Sequence, residues 1–197
     1  MTPLDPRILS TLLESGLPHL DLTPRAGTWT EAQSESFAKE LGSGQPMKGN
    51  PGLIAGIVLA WHDHFEAAHA LAQECDTPLG AWLHALLHRR EPDYSNSKYW
   101  LRRAGRLPEQ AMAWIPFRGE PKTSTPAWLE VFPAPMARAM DWDTMGACFS
   151  HGCWNPSGFV DTCARALIRK DPEVLDLLER FQALEFYCLI STAMEAA

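Results

Sequence analysis

Between residues 62 and 91 the chain sets imidazoles and carboxylates at helical spacing, a combination that can hold a metal or move a proton. His62, Glu66, His69 and Gln73 follow one another in steps of four, three and four residues, and His84, His88 and Glu91 in steps of four and three. Side chains three or four positions apart share one strip of a helix. Between the two rows, Asp76-Thr77-Pro78 reads as a turn, with Thr77 as a cap and Pro78 at a first helical position. A turn this short makes the two helices antiparallel neighbours. Counted outward from it, His69 falls level with His84, Glu66 near His88 and His62 near Glu91. Imidazole and carboxylate from facing helices are a known way to hold a metal inside a bundle.

The chemistry expected of such a centre is that of a divalent metal, zinc or iron, ligated by His69, His84 and His88. Glu66 would be a further ligand or the base that activates a water, and His62 and Glu91 would support the ligands or act on the substrate. The catalytic set is then Glu66, His62 and Glu91. Without a metal the same His/Glu pairs suit acid–base catalysis. Hydrolysis asks least of the site; at iron, oxygenation is also open. The bland alternative is a buried polar network, since unpaired polar groups inside a protein cost about 1–3 kcal/mol each and gather partners for that reason alone. His64 lies on the opposite edge of its helix from His62 and reads as structural, while Asp63 points away from the row and suits an arginine of the basic segment that follows.

That segment, residues 89–106, interleaves Arg89, Arg90, Lys98, Arg102, Arg103 and Arg106 with Tyr94, Tyr99 and Trp100. Arg89, Arg90, Arg103 and Tyr94 are the expected grip on a small anionic ligand or substrate. The same arginines equally suit ion pairs to the chain's own acids. A second reading makes the protein a binding module that holds a nucleotide, a nucleic-acid end or an acidic partner through this segment, with the histidines purely structural. Cys148, His151 and Cys153 invite a zinc reading, but a second distant pair is missing, so buried thiols are the better expectation. The Trp61, Trp82 and Trp100 set reads as core.

The elements that must position these groups are helices. The first runs over 53–75, opened by Asn50-Pro51, with Ile54, Ile57, Trp61, Phe65, Ala68 and Ala72 facing inward. The second runs over 78–91 with Leu79, Trp82, Leu83, Leu86 and Leu87 inward. A short helix over 4–15, a Thr30/Gln33 capping box before a helix to Leu41, a helix closed at Gly105, and two helices opened by Asn155-Pro156 and Asp171-Pro172 complete the pattern. Residues 108–136 carry Pro108, Pro116, Pro121, Pro126, Pro133 and Pro135 and read as an ordered wrapping loop. The fold expected is mainly α: a helical bundle built on a central antiparallel hairpin (53–75, 78–91). It forms a single domain over 1–197, with residues 1–50 as N-terminal helices and 51–197 as the core.

Composition bounds the function classes. The 197 residues are 46% hydrophobic and 21% charged, enough for one ordinary core. A net charge of -7 argues against general binding of nucleic acid or an anionic membrane. No apolar run reaches the ~18 residues of a membrane span. The opening MTPLDPRILS lacks the basic and apolar regions of a secretory signal, and five cysteines without a paired pattern fit reduced thiols in a cytoplasm. The stretches WHDHFEAAH, HRREPDYSNSKYWLRR and WNPSGFVDTC together resemble a family of small single-domain proteins of bacteria and fungi. The resemblance brings no activity; it implies that Trp61, His62, Asp63, His69, His84, His88, Arg89, Arg90, Asp93 and Asn96 are positions of that family.

Overall fold

The computed structural model describes residues 6–43, 50–105, 146–150 and 153–195. The helix bounds follow the sequence's punctuation closely. In chain order they are α1 (Pro6–Leu13), α2 (Glu31–Ser43), α3 (Pro51–Trp61), α4 (Phe65–Glu74), α5 (Pro78–Arg90), α6 (Tyr94–Ala104), α7 (Pro156–Arg169) and α8 (Pro172–Glu195). Among the described residues the protein is thus mainly helical, with one two-residue antiparallel ladder, Phe149–Ser150 against Cys153–Trp154. No helix among them is long and apolar enough to cross a membrane.

Four helices start with the same device. A polar side chain accepts hydrogen bonds from the first turn's free N–H groups, and the proline after it has no N–H to satisfy. Asn50 caps α3, Thr77 caps α5 and Asn155 caps α7 in this way. Asp171 accepts from Glu173 and Val174 at the start of α8. Asp93 caps α6, and Thr30 and Gln33 exchange the two bonds of a capping box at α2.

The expected helix over 53–75 is two helices. After Trp61 the backbone folds back: the His64 N–H donates to Leu59 O (3.0 Å) and the Asp63 N–H to Ala60 O (3.4 Å), with Asp63 at a left-handed φ of 68°. This is the helix-ending loop usually made with glycine, here made with an aspartate that tolerates that conformation. The hairpin is therefore formed by α4 and α5, and α3 is a separate rod packed against α4. The α4–α5 turn is tight. A Cβ on Gly80 would fall 2.0 Å from the Cys75 carbonyl oxygen, so only glycine lets α5 begin there.

The core sits between α3, α5 and α8. α8 buries Leu178, Phe181, Leu184, Phe186, Leu189 and Ile190, and α3 buries Ile54, Ile57, Val58 and Trp61. Trp61 and Trp82 are fully buried, as expected, and each indole N–H has an acceptor. Trp61 donates to Leu12 O, and Trp82 donates to Glu185 Oε1, both at 2.9 Å. Residues 108–136 and His151 lie outside the described residues, as does the side chain of Cys153. Cys148 is buried, and desolvation holds its thiol up at about 11, the behaviour of a structural thiol.

Candidate metal centre

His69 points from α4 toward α5, which presents His84 and His88 one turn apart. One nitrogen from each of the three rings lies within 4.8 Å of the other two. The His69 and His84 Nε2 atoms are 3.2 Å apart. Two nitrogens at bonding distance from a tetrahedral zinc, ~2.0–2.1 Å each, are about 3.3 Å apart, so this pair already stands at ligand spacing. At such a contact one Nε2 must carry a proton for the other to accept, and a cation between them would replace that proton. His88 completes the set: its Nδ1 lies 3.1 Å from Glu91 Oε2. A carboxylate there favours the proton on Nδ1 and leaves the Nε2 lone pair to act as a ligand. No ring of the three is tied to a main-chain oxygen by the bonds described.

Two side chains of α6 lie against the α5 imidazoles. The Trp100 ring stacks on His84, with centroids 4.0 Å apart and planes at 7°. The Asn96 amide nitrogen is 3.4 Å from Nδ1 and 3.1 Å from Nε2 of His88. Nearly equal distances to both ring nitrogens put it over the ring face rather than on either lone pair. The Arg103 guanidinium covers Trp100 at 5.1 Å and is joined to the Tyr99 hydroxyl at 3.4 Å.

The electrostatics favour the neutral form of His69 and His84, the form that binds metal. His84 is pushed down to about 4, first by burial and then by His69, His88 and Arg103. His69 is lowered by burial and by His88, against the raising charges of Glu91 and Glu66. Those opposing charges put both carboxylates near His69. Glu66 and Glu91 are themselves exposed and His69 is half-buried, so the acidic groups lie on the solvent side of the buried His84.

The remaining expected site residues lie elsewhere. His62 is not on the α4 strip, because α3 ends before it. Its Nδ1 accepts from the Trp29 backbone N–H at 3.2 Å, its ring stacks on Trp29 at 4.2 Å, and burial above all lowers it to about 4. His64 binds the same residue, with Nε2 2.8 Å from Trp29 O. Asp63 does orient an arginine of the basic segment: it pairs with Arg90 and with Arg25 of the N-terminal segment. Burial alone would raise the Asp63 carboxyl, yet those two guanidinium groups hold it below its usual value. The whole Trp61-His62-Asp63-His64 element thus anchors residues 12–29.

Arg89 and Arg90 do not reach solvent. Arg89 pairs with the fully buried Glu185 at 2.7 Å and lies over the Phe159 ring. Arg90 donates to Ala60 O at 2.6 Å and His19 O at 2.9 Å besides Asp63. Tyr94 packs on the core, where burial and the neighbouring Cys163 and Asp21 raise its phenol. Of the expected anion-binding residues, Arg103 alone is both exposed and beside the imidazoles. Sequence reasoning passed over Trp100 as core and gave Asn96 no role at the imidazoles. Their four-residue step matches that of His84 and His88 across the Pro92 turn, and this could have paired them.

Compared with known protein families, with curated proteins and with solved structures, the chain matches none. The resemblance of the three stretches therefore carries no argument about activity, and what can be said of function rests on the site itself.

Proposed function

We propose that the protein is a divalent-metal-dependent hydrolase of a small anionic substrate, with His69, His84 and His88 as the metal ligands. The observation that carries the reading is the convergence of three imidazoles within 4.8 Å, two of them at the spacing a tetrahedral ion requires. Three protein ligands leave a fourth position open, the arrangement of catalytic rather than structural zinc. A bound zinc or iron supplies Lewis acidity and makes water a better acid there.

The chain's own groups have the following parts. Glu91 holds the Nδ1 proton of His88 and so keeps its Nε2 available. Glu66, exposed one helical turn before His69, takes a proton from the attacking water. As the new bond to the water oxygen forms, the bond to the leaving group breaks, and the proton passes from Glu66 to that group. Arg103 and Tyr99, both about half exposed beside Trp100, face the anionic part of the substrate. Arg89 and Arg90 take no part, because their guanidinium groups are spent on internal carboxylates.

The experiment is elemental analysis of protein purified without added metal and after dialysis against zinc or ferrous iron. About one equivalent of metal is expected, lost in a His69→Ala, His84→Ala double variant that keeps its helical spectrum. Metal-free protein at saturating zinc would remove the reading.

A further inference from the structure

We infer that α6 is the positioning element of the centre, with Trp100 setting the ring plane of His84 and Asn96 that of His88. The inference rests on the metal-centre reading above.

A ligand imidazole usually has its plane fixed by a hydrogen bond from its second ring nitrogen. His84 lacks this device. Its Nε2 faces His69, and its buried Nδ1 has no hydrogen-bond partner. Something else must hold the ring. The Trp100 indole lies parallel to it at 4.0 Å over one face. Trp100 is itself held from its own helix by Arg103 at 5.1 Å and edge-on by Tyr99 at 5.4 Å.

The second rung repeats the geometry. His84 and His88 are parallel to within 4°, and Asn96 lies over His88 as Trp100 lies over His84. The step of four residues on α5 meets a step of four on antiparallel α6, so one helix registers both ligands at once. That register is pinned independently of either ring: the Ser97 hydroxyl, between the two rungs, donates to Ala85 O at 2.7 Å, and Asp93 caps the helix start. The two α5 ligands are therefore set by α6 before any ion arrives, while His69 is held from its own helix by Phe65 and Gln73.

The test is a cobalt(II) titration of the full chain, followed by visible absorption and by tryptophan fluorescence. Trp100→Phe keeps an aromatic face and should bind cobalt within about twofold of the natural chain. Trp100→Leu fills the space without a flat face and should bind about tenfold more weakly, with an altered absorption band. Asn96→Ala should weaken binding in the same direction without touching a ligand, and it carries the test should the leucine variant fail to fold. Because open-shell cobalt at His84 would quench the stacked indole, the natural chain should lose more of its emission on loading than Trp100→Phe does. Cobalt affinity unchanged in both Trp100→Leu and Asn96→Ala would overturn the positioning role and leave the metal centre standing. Absence of cobalt binding in the natural chain would overturn the centre and this inference together.

Discussion

Two places in the molecule collect histidines, and they are built on opposite principles. At the α3–α4 break, His62 and His64 clasp the two backbone groups of Trp29 while Asp63 binds Arg25 and Arg90. At the α4–α5 face, His69, His84 and His88 turn their nitrogens toward one another and leave main-chain oxygens alone. The first group is held by main-chain groups and arginines remote from it in the chain; the second is held by Gln73, Glu91 and its own rings, with the buried His84 Nδ1 left without a partner. In the sequence the two groups continue one another without a visible seam. The difference is made by a segment remote in the chain, residues 12–29, which supplies partners to the first group and none to the second. Imidazoles that converge on one another rather than on the main chain are therefore the functional signal here, more than histidine count or spacing.

The comparison breaks most visibly at Asp63. Its carboxylate balances two guanidinium groups, and the Arg90 side chain is 1% exposed. Asp63→Asn keeps a residue tolerant of the left-handed backbone but leaves those charges uncompensated. A loss of about 3 kcal/mol in urea unfolding is expected, with metal affinity of the folded protein unchanged. If Asp63→Asn spares stability and abolishes metal binding, the two regions have been assigned the wrong way round.

The converse variant is His69→Ala. His69 is half-buried on α4, so the melting temperature of metal-free protein should hardly move. Zinc affinity should fall by roughly a hundredfold, the share of one ligand in a tight site. Calorimetric titration and a melting curve on the same sample read both effects.

A pH series separates the regions next. Unfolded, His62 takes a proton below its ordinary value of 6.5; folded, it resists until about 4. Between those values the unfolded state binds more protons, so stability must fall as the pH falls through that window. Protonation would also place a second donor against the Trp29 N–H. Comparing urea midpoints of the natural chain and His62→Gln isolates this residue from the other lowered imidazoles. The natural chain should lose about 2 kcal/mol more than the variant between the two ends, a figure discounted for partial solvent screening. Parallel curves would show that Trp29 does not depend on an uncharged His62.

The smallest effect is expected at Arg103. Its ion pair with Asp76 is long, at 3.5 Å, and open to solvent, so Arg103→Gln should leave the melting temperature unchanged. Removing a positive charge near His84 should slightly tighten zinc binding while weakening competition by an inhibitory anion such as phosphate. A drop in melting temperature would move Arg103 from the site to the scaffold.

Much of the fold was legible because it is written in local chemistry. Asn50-Pro51, Thr77-Pro78, Asn155-Pro156 and Asp171-Pro172 each begin a helix where their side chains and the proline ring dictate. Leu83, Leu86 and Leu87 are buried as their spacing requires. The break at His62 was not legible, because the residue at the left-handed position is an aspartate where a glycine would have announced it. Arg89 and Arg90 misled for a related reason. A charged run at a helix end reads as a surface, but α8 brings Glu185 beneath it from almost a hundred residues away, and no local pattern reports a partner that distant. The triad was legible because all three residues lie on one short hairpin, where helix geometry alone decides which side chains meet.

The most direct measurement is anomalous diffraction at the zinc edge from a crystal of the natural chain soaked in zinc. The expected result is one strong peak between α4 and α5, about 2.0–2.1 Å from nitrogens of His69, His84 and His88. Peaks confined to the surface, with the three rings still facing one another across an ordinary hydrogen bond, would contradict it.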